Sequence, residues 1–287
     1  MNGSVYIGPV VACALALAAD LACSASALQS SSPWTVVAVR ERRAGEIPIE
    51  ESNVYLRESP GNYAPGPDSL VARVTIIQRR GYIEVLDLRT GKVQRLLDSW
   101  ASLPMWSPDG RYISCVAWKS TRQPYELTVV DVASKTVVAD PDVRASGTKA
   151  KWSPDSRRIA VSGVIHATPR SLLYAVSIPD GKVSILDSLD VLASHDFSWS
   201  PDGRWLAFTK PTKLDEMGED PIAADLWIAE VKTGRTWPLL ETPEWLEANP
   251  QWITDQTVHV TRSARQGSEP GIEQTVVVEI RRNAHER

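Results

Sequence analysis

The chain has 287 residues, a formal net charge of −4, and 23% charged against 43% hydrophobic residues, the balance of a globular protein with a packed core. That charge excludes a broad electrostatic surface for nucleic acid or anionic lipid. The ratio of 11 tryptophans to 2 phenylalanines is unusual.

Residues 1–27 contain an apolar run at 10–19, too short to span a bilayer comfortably, followed by small residues. Ala25-Ser26-Ala27 fits an A-x-A cleavage site. The segment is expected to be a signal peptide cleaved near Ala27, exporting residues 28–287 to the periplasm or the exterior. The alternative is an N-terminal anchor, either uncleaved or lipidated. Cys13 has the required apolar residue, Val10, three positions before it, whereas Cys23 has Asp20. The mature chain then keeps Cys115 alone, which cannot form an internal disulfide. Within RYISCVAW, Cys115 reads as a small buried hydrophobe.

WTVVAV at 34–39 is a strand pattern. Residues 40–69, rich in Pro, Gly and charge, read as an excursion outside the sheets. YIEVLDLRTGKVQRLL at 82–97 reads as a strand, a turn and a strand. Then WSPDG appears at 106–110, WSPDS at 152–156 and WSPDG at 199–203. The tryptophans are spaced by 46 and 47 residues, and Trp252 opens a degraded copy, QWITDQ, after 53 more. Each copy leads into a β-rich run: RYISCVAW, RRIAVSGV, RWLAFTK and TVHVTRS. A second run follows (ELTVVDV, LLYAVSI, DLWIAEV, TVVVEI), and three copies add a third: TVVAD, VSILD and TWPLL. A period of 40 to 50 residues with strand contents signals propeller blades.

The repeated letters have a physical reading. Pro at the second position of Ser-Pro-Asp-Gly presets φ near −65°, Asp suits the third, and Gly takes the left-handed conformation that returns the chain into a hairpin. Ser156 replaces that glycine in the second copy, so its turn is expected to be strained or of another type. Asp109, Asp155 and Asp202 are thus turn residues, not a catalytic set. Trp106, Trp152 and Trp199 are expected to pack between blades.

The series WSPDG-R-x-I/L-A-F/V, an apolar strand ending in Asp, then TGK resembles the TolB-like propeller repeat, which also occurs in propeller domains of prolyl oligopeptidase relatives. The resemblance covers residues 80–260 and implies an all-β propeller of four-stranded antiparallel blades. Units near 53–97, 101–140, 147–187, 194–240 and 247–280 give five blades. The last lacks an outer strand, which 34–39 would supply, joining the two termini in one blade. Such propellers typically have six blades, and a sixth unit would have to lie within 28–70.

No G-x-S-x-G occurs, so the hydrolase half of the prolyl oligopeptidase resemblance is not expected. The histidines 166, 195, 259 and 285 show no metal-ligand spacing, and neither a metal nor another cofactor is expected. Some pectin lyases place histidine metal ligands in the channel of a similar propeller. His195 and Asp196, in SHDFSW before the fourth motif, are the candidates for a channel mouth. Asp215, Glu216, Glu219 and Asp220 cluster in PTKLDEMGEDPIAA at 211–224, a long insertion that reads as a solvated acidic loop. Trp245 lies in a connection without a repeat counterpart, where an aromatic could meet a partner. The expected function is a non-enzymatic, monomeric, exported module binding another protein or an envelope component. It would touch the membrane only through an N-terminal anchor. The alternative is a polysaccharide lyase or glycan hydrolase with its site in the channel.

Overall fold

The structure is a computed structural model describing residues 32–42, 63–78, 80–117, 126–141, 145–165, 170–189, 195–214, 221–242, 245–264 and 273–283. The signal-like segment, Cys13, Cys23, His166, His285 and the acidic residues 215–220 lie outside them.

The described residues form five four-stranded antiparallel sheets. Strand β1 (Trp34–Glu41) comes first in the chain but belongs to the last sheet. Blade one is β2 (Tyr63–Pro65), β3 (Leu70–Ile77), β4 (Arg80–Asp87) and β5 (Val93–Asp98). Blade two is β6 (Ala101–Trp106), β7 (Tyr112–Ala117), β8 (Glu126–Asp131) and β9 (Thr136–Ala139). Blade three is β10 (Ala145–Trp152), β11 (Arg158–Ile165), β12 (Arg170–Ser177) and β13 (Val183–Leu189). Blade four is β14 (Phe197–Trp199), β15 (Trp205–Leu214), β16 (Pro221–Glu230) and β17 (Arg235–Leu240). Blade five is β18 (Trp245–Thr254), β19 (Thr257–Ala264) and β20 (Glu273–Arg282), completed by β1. The register Trp34↔Arg282, Val36↔Ile280 and Glu41↔Val276 joins the two ends of the propeller in one blade, as the strand pattern at 34–39 predicts.

The SPD turns share one hydrogen-bond plan. The buried hydroxyls of Ser107, Ser153 and Ser200 each donate to the aspartate two residues on at 2.6 Å. Each also accepts the N–H five residues on: Tyr112 at 2.9 Å, Arg158 at 2.9 Å and Trp205 at 3.0 Å. The fourth turn residue is left-handed in all three, with φ of 70° at Gly110, 58° at Ser156 and 66° at Gly203. Ser156 therefore keeps the glycine conformation rather than changing turn type. Its buried hydroxyl accepts the Asp109 N–H of the preceding blade at 3.0 Å, a bond that glycine cannot make and that offsets the left-handed penalty.

Blade one holds a related but distinct turn inside the expected excursion, with Asp68 left-handed as well (φ of 51°) and the Gly66 N–H bonded to the Leu70 carbonyl four residues on at 2.8 Å. Gly66-Pro67-Asp68-Ser69 follows β2, and Ser69 has φ of 67°. Residues 63–65 therefore belong to the sheet, and 66–69 are its turn. Gly66 is required because a Cβ there would come within 2.4 Å of the Trp106 indole. The Trp106 Nε1–H donates to the Ala64 carbonyl at 3.1 Å, and that of Trp199 to the Lys151 carbonyl at 2.9 Å. First strands of neighbouring blades thus lie side by side and form the inner wall. The expected insertion at 211–224 is also partly sheet, since Pro211↔Ala224 and Leu214↔Pro221 prolong the β15–β16 hairpin.

Apolar clusters seal four seams between consecutive blades. Ile83, Val85, Cys115 and Val130 join blades one and two, and Val129, Tyr112, Ile159 and Tyr174 join two and three. Leu173, Leu186, Phe197 and Phe208 join three and four. Trp205, Ile228, Trp252 and Val278 join four and five, together with Trp34 of β1. Cys115 is 1% exposed, and burial pushes its thiol up to about 12.

Candidate functional site on the inner wall

The position three residues before the repeat tryptophan is Lys149 in β10, Asp196 just before β14, and Asn249 in β18. The structure brings these three together. Lys149 Nζ forms an ion pair with Asp196 Oδ1. The Asn249 N–H donates to Asp196 Oδ2 at 3.4 Å. One carboxylate therefore links the inner strands of blades three, four and five. The Asp196 backbone is pinned by Thr209, whose N–H donates to its carbonyl at 2.9 Å and whose Oγ1 accepts its N–H at 3.3 Å. The side chains of Lys149 and Asp196 are 37% and 21% exposed, so solvent and ligands reach this pair.

His195 points the other way. It is fully buried in the seam between blades three and four, not on the channel. Its N–H donates to Ser162 Oγ at 2.9 Å, and its ring meets Phe208 edge-on at 5.9 Å. Nε2 lies 3.0 Å from Asp187 Oδ2, while Lys210 Nζ donates to Asp187 Oδ1 at 2.8 Å. Burial raises the Asp187 pKa, but hydrogen bonds from His195 and Lys210, and their charges, outweigh it and hold the carboxyl below its usual range. An ionised carboxylate only accepts, so His195 Nε2 carries the hydrogen. Asp187, His195 and Lys210 thus form a polar brace across the seam, with His195 and Asp187 buried and the Lys210 side chain 27% exposed, that fixes the backbone just before Asp196.

Trp245 begins β18, four residues before Asn249. It is half-buried, and the Arg262 guanidinium lies 4.4 Å over its ring. Its amino-terminal neighbourhood is ordered by Thr242, whose carbonyl accepts the Trp245 N–H at 3.4 Å and whose hydroxyl donates to the buried Glu247. Among the described residues no group of three or more His, Cys, Asp or Glu is placed to hold a metal. Sequence reasoning missed Lys149, Asn249, Asp187 and Lys210. Alignment on the repeat tryptophans would have found the first two, which share the register of Asp196. Asp187 and Lys210 carry no such signal, because their meeting depends on how blades three and four pack.

No family model matches the chain, and no curated protein matches it. Solved structures do. The β-propeller domain of the Trilobed protease from Pyrococcus furiosus is similar at 13% identity and a TM-score of 0.53, over 74% of this chain and 65% of that one. The tricorn protease is similar at 14% identity and a TM-score of 0.50, over 71% of this chain and 23% of that one. TolB from Acinetobacter baumannii matches at 19% identity and a TM-score of 0.42, over 77% of this chain and 55% of that one. This chain spans less than two thirds of each of them. At such identities the likeness to the first two is one of fold, the β-propeller.

Proposed function

We propose that this chain is an exported, TolB-like propeller that binds another protein or an envelope component at the inner-wall rim of blades three to five, without performing chemistry on it. The observation that carries this reading is the division of the polar groups. The exposed groups, Lys149 and Asp196, are paired with each other, while the acid–base pair Asp187–His195 is sealed in the seam. General acid–base catalysis needs a proton-transfer group within hydrogen-bond reach of the substrate. Recognition needs only an accessible, oriented charge pattern, which the Asp196 carboxylate provides across three blades. The TolB-like assignment rests on the three SPDG and SPDS copies and their shared Ser–Asp turn, and export rests on the signal-like residues 1–27. The test is crosslinking and pull-down from envelope and secreted fractions with wild-type protein and Asp196→Ala. A stoichiometric partner captured by the wild type and lost with the variant is the expected result. Turnover of a polysaccharide by the purified chain, abolished by Asp196→Ala, would overturn the reading and favour the lyase or hydrolase alternative.

A further inference from the structure

The four apolar seams leave one face of blade one without such a cluster among the described residues. Successive strand residues point to opposite sides. Ile83 and Val85 face blade two, so Tyr82 and Glu84 face away from it. The pairings Arg73↔Glu84 and Glu84↔Arg95 set these three side chains in one row across β3, β4 and β5. The face that would meet blade five is thus polar where the other seams are oily.

The row is built tightly. The Glu84 side chain is 4% exposed and accepts from Arg73 at 3.2 Å, Thr75 Oγ1 at 3.0 Å, and Arg95 at 3.3 and 3.4 Å. Arg95 also stacks on the Tyr82 ring at 3.7 Å, which fixes the plane of its guanidinium. Two guanidinium groups on one carboxylate leave the row with a net positive charge. A guanidinium has five N–H donors, and Arg73 Nε is buried with no partner among the described residues. A groove of about 500 Å³ runs along the row, lined by Arg73, Thr75, Ile77, Glu84, Val93 and Arg95. Its apolar members, Ile77 and Val93, are 44% and 48% exposed. The Arg73 and Arg95 side chains remain 27% and 49% exposed.

We propose that this groove binds an acidic peptide of a partner protein. A carboxylate of the peptide sits between Arg73 and Arg95, and its apolar neighbours rest on Ile77 and Val93. Charge complementarity commits the site to an anion, since a carboxylate matches the planar fork of arginine. The apolar lining selects a carboxylate carried on a polypeptide over a free ion. Glu84 is then an internal competitor that holds both arginines in place until the peptide arrives. This face lies on blade one and is independent of the inner-wall rim.

The test is fluorescence anisotropy of a labelled peptide of alternating Glu and Val, with a Lys–Val peptide as control. The Glu–Val peptide is expected to bind and the Lys–Val peptide not to, and binding weakens as salt rises. Arg95→Ala is expected to weaken binding by about tenfold, the loss of one charge-assisted pair. Arg95→Lys, which keeps the charge and loses the fork, should fall between the two. Glu84→Gln is expected to tighten binding by removing the competing charge, an effect that a purely structural Glu84 would not produce. Glu–Val binding that is absent at low salt, or insensitive to Arg95→Ala, would overturn the proposal. Sedimentation showing a dimer that Arg95→Ala dissolves would also overturn it, assigning the face to a second copy.

Discussion

Replacing Ser200 by alanine tests whether the SPD turn is a working part of the blade. The serine is 2% exposed, and its Oγ donates to Asp202 at 2.6 Å while accepting the buried Trp205 N–H at 3.0 Å. Alanine removes both bonds without adding bulk. The bond to the carboxylate contributes about 1.5–3 kcal/mol, and the Trp205 N–H left unpaired costs about 1–3 kcal/mol. The two share one oxygen and do not simply add, so the expected destabilisation is about 2–4 kcal/mol. Urea unfolding followed by tryptophan fluorescence reads it as a lower midpoint with an unchanged slope. Ser188→Ala is the control, since that exposed serine of β13 lies outside the motif. A loss below about 0.5 kcal/mol, the level of an ordinary surface change, would refute the reasoning. The repeated serine would then be explained by backbone conformation alone.

Trp34→Ala is expected to cost about 3–5 kcal/mol, as for other large core truncations. The ring meets Trp205 and Trp252 edge-on at 5.6 and 5.7 Å, so the loss acts on the blade that joins the two ends, and thermal unfolding reads it. Asp187→Asn probes the polar brace through pH. The folded pKa of Asp187 lies below the unfolded one, so its contribution is complete above about pH 4 and disappears as pH falls through the folded value. The wild type should therefore exceed the variant in urea midpoint at pH 7, with the gap closing below about pH 4; a gap independent of pH would contradict it. Cys115 in the native chain is expected to resist iodoacetamide at pH 8 and to react once urea unfolds it, because burial raises its thiol to about 12. Peptide mapping of the alkylated residue checks this.

The blades were legible because the turn is local chemistry. Ser, Pro, Asp and Gly or Ser set the backbone and its hydrogen bonds within a few residues, so the letters and the structure repeat together. The related turn in blade one is hidden for the complementary reason. Pro65 replaces the marker tryptophan and Gly66 replaces the serine hydroxyl, which leaves only Pro-Asp-Ser to identify the turn. Gly66 is explained by Trp106, 40 residues later in another blade, and no local pattern contains that contact.

The candidate site divides in the same way. The sequence presents His195 and Asp196 as one adjacent pair, yet alternation at the start of an inner strand sends one into the seam and the other to the wall. Asp187 and Lys210 join His195 from blades three and four. The sequence by itself determined the repeat turns, the period, most of the strands and the closing role of residues 34–39, because each follows from propensity, alternation and the count of strands per repeat along the chain. Only the tertiary structure decided which seams are apolar, which carboxylates are sealed and which stay exposed. Those properties depend on the face that each blade presents to its neighbour, set by packing between residues far apart in the chain.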